Sequence, residues 1–378
     1  MNPMIAVLAF LIVLSVLILI HEAGHFIAAR IFKVKAEEFG YGLPPRAIGW
    51  VKDGKKWKRV SSKDRTEYKH TIWSLNWLPI GGFVRLKGEN GDRLDDRDSF
   101  HAKKVWQRFI IIAAGVLMNW VLAAVLFSIG FAFGTPAVLD NIPPGAVIEN
   151  REILVLDTLP GSAAQKAGIA SMDSIISING QIPKNVDDIR TLIASKTDGA
   201  EAIIVKRGSE EKTFQVTPEY MSEINQKGIG VSLAESGIIR YPVHLAVVNG
   251  VRVTWLYTEN IAMTFVSLFK ELFTGGGETV KEVSGPVGIA VLAGRIAERG
   301  MAQLIQFAAI LSINLAVLNF LPIPALDGGR ALFLIIEAIR RKPINRNIEA
   351  LIHNIAFIIL IALVVLISVR DVGRLFGG

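Results

Sequence analysis

Apolar and polar positions are unevenly spread along the chain. Four apolar runs, Met4 to Phe32, Phe109 to Phe133, Leu304 to Leu321 and Ile355 to Val369, reach or approach the roughly 20 helical residues that cross a hydrocarbon core. They predict a polytopic α-helical membrane protein with about four transmembrane helices. The first run lacks a basic leading segment and a small-residue cleavage site, so a retained helix is expected rather than a signal peptide. From about Thr135 to Gly300 the pattern changes to shorter apolar runs with mixed charges. "AIIVKR" and "TFQVTP" alternate as half-buried strands do, and "TLPGSAAQKAGI" reads as a turn leading into a short helix that ends at Gly168. "SIISINGQ" reads as a strand closed by a turn at Asn179 and Gly180. A small α+β domain over 135–225 is expected. The stretch "VNGVRVTWLYTENIAMTFVSLFKELF" carries apolar residues at helical spacing with charges between them. It predicts an amphipathic, membrane-surface helix within 226–300.

Composition agrees with a membrane protein: 51% of the 378 residues are hydrophobic and the mean hydropathy is +0.42. The net charge of +7 resides in loops beside the apolar runs, in a set that includes Lys55, Lys56, Lys58, Arg59, Lys103 and Lys104, and again in Arg340, Arg341 and Lys342. Such bases flank membrane helices on the cytoplasmic side, which puts the N-terminus, the central insertion and the C-terminus outside. They imply contact with membrane lipid and not with nucleic acid, for which no signature is present. Cysteine is absent, which excludes disulfides and thiolate metal sites, so a transition metal would need histidine and carboxylate ligands.

That restriction bears on "LILIHEAGHFIAA" in the first run. His21, Glu22 and His25 match H-E-x-x-H, and four helical residues advance about 400°, which stacks the two imidazoles on one face. Glu22, one step round, is placed to take a proton from water at the metal. In a soluble helix these would read as satisfied surface groups. In an apolar span, three ionisable groups cost free energy unless something replaces their hydration, and a shared metal ion does so. A catalytic zinc uses three protein ligands and an open position, so a third ligand is needed. "NFLPIPALDGGRALF" offers Asp327, after two prolines that break the third helix. The competing role for Asp327 is N-cap of a helix starting at Gly328.

"HEAGH", "FGYGLPPRAIGW", "PIGGFVRLKGE", "GVLMNW", "SGPVGIA" and "NFLPIPALDGGR" together resemble the site-2 protease family of intramembrane zinc metalloproteases, bacterial regulator-of-sigma-E type, in the family's order. The resemblance implies Zn2+ held by His21, His25 and Asp327, with Glu22 as catalytic acid and base. It implies that Asn319, eight residues before Asp327, holds substrate; the alternative for Asn319 is a helix–helix hydrogen bond. Asn119 in "GVLMNW" is expected to pack between helices. Gly81 and Gly82 are expected either in a membrane-associated strand or hairpin, whose edge adds an unwound substrate strand, or in a plain cytoplasmic turn. Gly285, Pro286 and Gly288 are expected to be structural. "LPGSAAQKAGIASMDSIISINGQ" resembles the middle of an extracytoplasmic PDZ domain, with Met172 where a glycine is usual.

The implied activity is hydrolysis of transmembrane protein substrates, such as anti-sigma factors or remnant signal peptides, in a bacterial inner membrane. An inactive PDZ-bearing scaffold, or a transporter using the same ionisable residues as a cation site, are the competing readings. Divided accordingly, the chain comprises 1–134 with two spans and H-E-x-x-H, 135–225, 226–300, and 301–378 with two further spans and Asp327.

Overall fold

A computed structural model describes residues 3–64, 66–89, 96–140, 142–194, 199–208, 210–221, 226–274 and 284–376. The chain forms two compact units, Met1–Ser128 with Gly250–Gly378, and Ile129–Asn249. Residues 222–225 and 275–283, within the segments expected to end the inserted domain and the amphipathic region, lie outside the described residues.

The first unit opens with helix α1 (Pro3–Ile31), strands β1 (Ala36–Asp53), β2 (Lys56–Val60) and β3 (Ile72–Leu86), and helix α2 (Val105–Phe133). β1 and β3 pair with each other twice. Phe39 stands beside both Val84 and Trp73, Gly40 beside Phe83 and Ser74, and Tyr41 beside Gly82 and Leu75. Further along β1, Gly49 and Trp50 pair with Ser74 and Trp73 of β3 and with Val60 and Arg59 of β2. Glu38, 2% exposed, pins this sheet. Burial pushes its carboxyl up, but the Arg46 fork (Nε to Oε1 2.7 Å) and the Arg85 guanidinium outweigh that and hold it below the ordinary carboxylate range.

The second unit carries β4 (Thr135–Val138), β5 (Val147–Thr158), α3 (Ala163–Ala167), β6 (Ser174–Ile178), α4 (Val186–Ala194), β7 (Glu201–Arg207), β8 (Glu210–Val216), β9 (Glu219–Met221), β10 (Gln226–Gly228) and β11 (Val231–Arg240). Its main sheet is antiparallel with order β4-β11-β5-β6-β7-β8. Inward side chains, among them Ile153, Val155, Ile175, Ile178, Ile203 and Val205, form its core with Ile189 and Ile193 of α4. The sheet extends past residue 225 because β11 lies second in it. α3 ends at Gly168 as its sequence predicts, with φ +96° there, and at its start the Ser162 hydroxyl accepts from Gln165 N–H. Asn179 and Gly180 both have positive φ, as a two-residue turn requires. Met172 adopts φ +72°, so the left-handed turn survives without glycine.

Helices α5 (Val243–Thr274), α6 (Pro286–Arg299), α7 (Met301–Phe320), α8 (Asp327–Arg340) and α9 (Arg346–Phe376) complete the chain. Among the described residues four helices are long and apolar enough to cross a membrane: Met4–Ile31, Val105–Phe133, Met301–Phe320 and Asn347–Arg374. The chain is a membrane protein with an inserted sheet-rich region. α5 packs lengthwise on α2 through its small and hydroxyl-bearing stripe. Gly250 meets Ser128 and Ala124, Tyr257 stacks on Phe127 at 5.6 Å, and Trp120 Nε1 donates to Thr258 Oγ1 at 3.1 Å. Val248, Trp255, Met263 and Val266 are left exposed. Periodicity shows that α5 has two faces, but small residues at a close crossing decide which of them is packed.

Candidate metal centre

Two glycines bring the helices together. A Cβ on Gly24 of α1 would stand 2.3 Å from the Ala114 carbonyl oxygen, so α1 and α2 meet backbone to backbone. At the next residue of α2, a Cβ on Gly115 would stand 2.4 Å from His25 Nε2 and 2.9 Å from His21 Cε1, so the absent side chain is the space the imidazoles occupy. Both histidines are buried, and both face Asp327, 306 and 302 residues later: Asp327 Oδ2 lies 2.9 Å from His21 Nε2 and 3.2 Å from His25 Nε2. The two Nε2 atoms are 3.2 Å apart. Three ligand atoms around a tetrahedral zinc at its usual bond lengths stand about 3.3 Å from one another, so this donor set fits the ion with shifts of a few tenths of an ångström. His25 Nδ1 lies 2.9 Å from the Ile111 carbonyl, which can only accept; Nδ1 is therefore the protonated nitrogen, and Nε2 keeps its lone pair for a metal.

Asp327 is the first residue of α8. The cap position belongs to Leu326, which makes no side-chain capping bond, so the aspartate faces the histidines and does not cap the helix. Its negative charge sits favourably at the helix N-terminus. Gly328 and Gly329 let the broken segment fold tightly over that end: a Cβ on either would lie within 2.5 Å of the carbonyl oxygens of Phe320, Leu321 or Ile323. Ala325 takes φ +79°, and its N–H donates to His353 Nδ1 of α9 at 2.8 Å. Thus a membrane helix holds the segment two residues before the aspartate. Asn319, in the last turn of α7, is half-buried, and its side chain makes no hydrogen bond among the described residues, so the helix–helix bond expected as its alternative is not formed.

Gly81 and Gly82 lie within β3 and not in a separate turn. Gly81 has φ +77° and faces Ile18, while Gly82 fits between Leu19 and the Gly40 carbonyl. This close passage brings the strand alongside α1 one turn before the histidines. Val84 N–H points away from β1 and donates to Glu22 Oε2 at 2.9 Å. Beyond the strand, Glu89 pairs with Arg330, one turn into α8. A cavity of about 710 Å³, lined by Asp327, Arg330, Glu89, His101 and His353 among others, opens beside the aspartate.

The family model for peptidase family M50 matches residues 9–363. The chain belongs to peptidase family M50. This M50 protease is 28% identical to the regulator of sigma-W protease RasP of Bacillus subtilis over 451 aligned positions, covering 98% of this chain and 99% of that one. It is 29% identical to the zinc metalloprotease RasP of Bacillus licheniformis, with the same coverage. A Clostridium perfringens protein, provisionally named a zinc metalloprotease, is 34% identical over 368 positions and 97% of either chain. The M50 protease described here is a site-2-type intramembrane zinc metalloprotease. His353, Asn119 and Gly115 stand beside the site without a sequence motif that announces them there. Only a buried polar residue or a glycine in an apolar helix marks such positions in advance.

Proposed function

We propose that His21, His25 and Asp327 hold the zinc ion and that Glu22 carries the proton in hydrolysis of a peptide bond within or beside a substrate's membrane span. The observation that carries this reading is the convergence of three donor atoms, all within 4.8 Å of one another, from two segments some 300 residues apart. A zinc ion bound there supplies a Lewis acid for the scissile carbonyl and for water. Val84 N–H anchors one oxygen of the Glu22 carboxylate and leaves the other to take the proton from water and return it to the leaving amine. Helical amides are internally bonded, so a substrate must be extended before it is cut. Gly82–Leu86 pair with β1 along one side, and Glu22 meets their other side, so strand addition there would lay a substrate beside Glu22. In this reading Gly81 and Gly82 permit the approach, and the Asn319 amide bonds to the extended substrate backbone.

Exposed Trp77, Leu78 and Ile80 in the middle of β3 favour a hairpin that dips into the membrane, with lysine-rich loops on the cytoplasmic side. The protein then lies in a bacterial inner membrane with residues 135–225, read as a PDZ-like domain, outside. Its substrates are transmembrane proteins, anti-sigma factors or remnant signal peptides. The name of the Bacillus subtilis relative supports the first class. The test is cleavage of a single-span membrane protein in detergent. Wild type should cut, and Glu22→Gln and chelator-treated enzyme should not. Equal cleavage by all three would defeat the assignment.

A further inference from the structure

His25 and His21 differ in how their outer nitrogens are held. His25 Nδ1 is fixed by the Ile111 carbonyl of α2, which no substitution can remove. His21 Nδ1 faces one polar side chain, Asn119, two helical turns further along α2, with the amide nitrogen 3.4 Å away. Asn119 is fully buried, its backbone carbonyl accepts from the Ser312 hydroxyl of α7 at 2.8 Å, and its side-chain oxygen has no partner. A buried amide with an unpaired oxygen is destabilising, and in an apolar helix–helix seam an aliphatic residue would avoid that cost.

The two ends of an amide differ in what they can do for an imidazole. With its nitrogen toward Nδ1, Asn119 donates, Nδ1 accepts, and the ring proton sits on Nε2, where it faces Asp327 at 2.9 Å. A zinc ligand needs the opposite tautomer, with the lone pair on Nε2 and the proton on Nδ1. Rotating the amide by half a turn presents the unpaired oxygen to that proton. We infer that Asn119 is a positioning residue for the metal centre, its side-chain oxygen accepting from His21 Nδ1–H when zinc is bound, as the Ile111 carbonyl does for His25. α2 then orients both imidazoles, one through its backbone and one through a side chain. The inference rests on His21 being a zinc ligand and adds a residue that touches neither metal nor substrate.

The experiment measures zinc affinity of the purified full-length protein in detergent by competition with a chromophoric chelator, together with thermal stability in excess chelator. Asn119→Leu should bind zinc about 10- to 100-fold more weakly, the usual cost of losing such an outer partner. Asn119→Asp, which keeps an acceptor, should retain most of the wild-type affinity. Ser312→Ala disturbs the same helix contact without touching the amide and should leave zinc binding unchanged. Wild-type affinity in Asn119→Leu, or equal losses in Asn119→Leu and Ser312→Ala, would overturn the inference while leaving the zinc assignment intact. Failure of the wild type to bind zinc would overturn both.

Discussion

Gly115→Ala places one methyl group where the metal centre has no room. The added Cβ would lie 2.4 Å from His25 Nε2 and 2.9 Å from His21 Cε1, against an ordinary contact of about 3.5 Å. The nearer ring must therefore move by about 1 Å, or α1 and α2 must separate. Neither is cheap: the His25 ring is tied by its other nitrogen to Ile111 O, and Gly24 is already in contact with the Ala114 carbonyl. Zinc–ligand distances tolerate shifts of only about 0.2 Å. Overpacking of this kind costs about 1–3 kcal/mol. If that cost falls on the metal-bound form, zinc affinity drops by roughly 5- to 140-fold, at about 1.4 kcal/mol per factor of ten. Gly373→Ala, in α9 with open space around the new Cβ, is the matched control and should leave zinc affinity untouched. Chelator competition on the two variants and the wild type reads the difference. A Gly115→Ala protein that folds and binds zinc as the wild type does would refute the packing argument.

Three further outcomes are expected. His353→Leu removes the half-buried acceptor of Ala325 N–H, a loss of about 0.5–1.5 kcal/mol that should lower the melting temperature and speed zinc loss to a chelator; unchanged release kinetics would mean that α9 does not hold the Asp327 segment. Met172→Gly relieves a left-handed methionine costing about 1–2 kcal/mol. Glycine's extra unfolded-state freedom offsets about half of that, so unfolding of the inserted unit should shift upward slightly, and a downward shift would contradict the turn assignment. The Glu38 carboxyl titrates lower in the folded sheet than in the unfolded chain, where it has a pKa of about 4.3. Its stabilisation is therefore complete above that value and is lost as pH falls through the folded one. Glu38→Gln should flatten the acid limb of a melting-temperature profile, and superimposable acid limbs would show that the Arg46 and Arg85 pairs contribute nothing.

What the sequence revealed, and what it hid, follows from the range of the interactions concerned. Spans are legible because length and apolarity are local properties. That His21 and His25 share a face is legible because helical geometry fixes their spacing, and that Asp327 meets them was expected because two imidazoles alone would leave a catalytic zinc one ligand short. The Gly168 helix end and the Asn179–Gly180 turn are local as well. Partnerships set by packing were hidden. Nothing in a single helix says that Thr254 and Thr258, and not Trp255, face α2, or that the Asn119 amide meets an imidazole 98 residues away. The double pairing of β1 with β3 was hidden too, because both strands pass through glycines and prolines that break the alternation by which strands are recognised.

The central claim is that two imidazoles and one distant carboxylate share a zinc ion in the membrane. X-ray absorption at the zinc edge of purified wild-type protein and of Asp327→Asn tests it most directly. The account predicts one zinc per chain bound by nitrogen and oxygen at about 2.0–2.1 Å, with occupancy lost in the variant. A wild-type protein without zinc, or a spectrum and occupancy unchanged by Asp327→Asn, would contradict it.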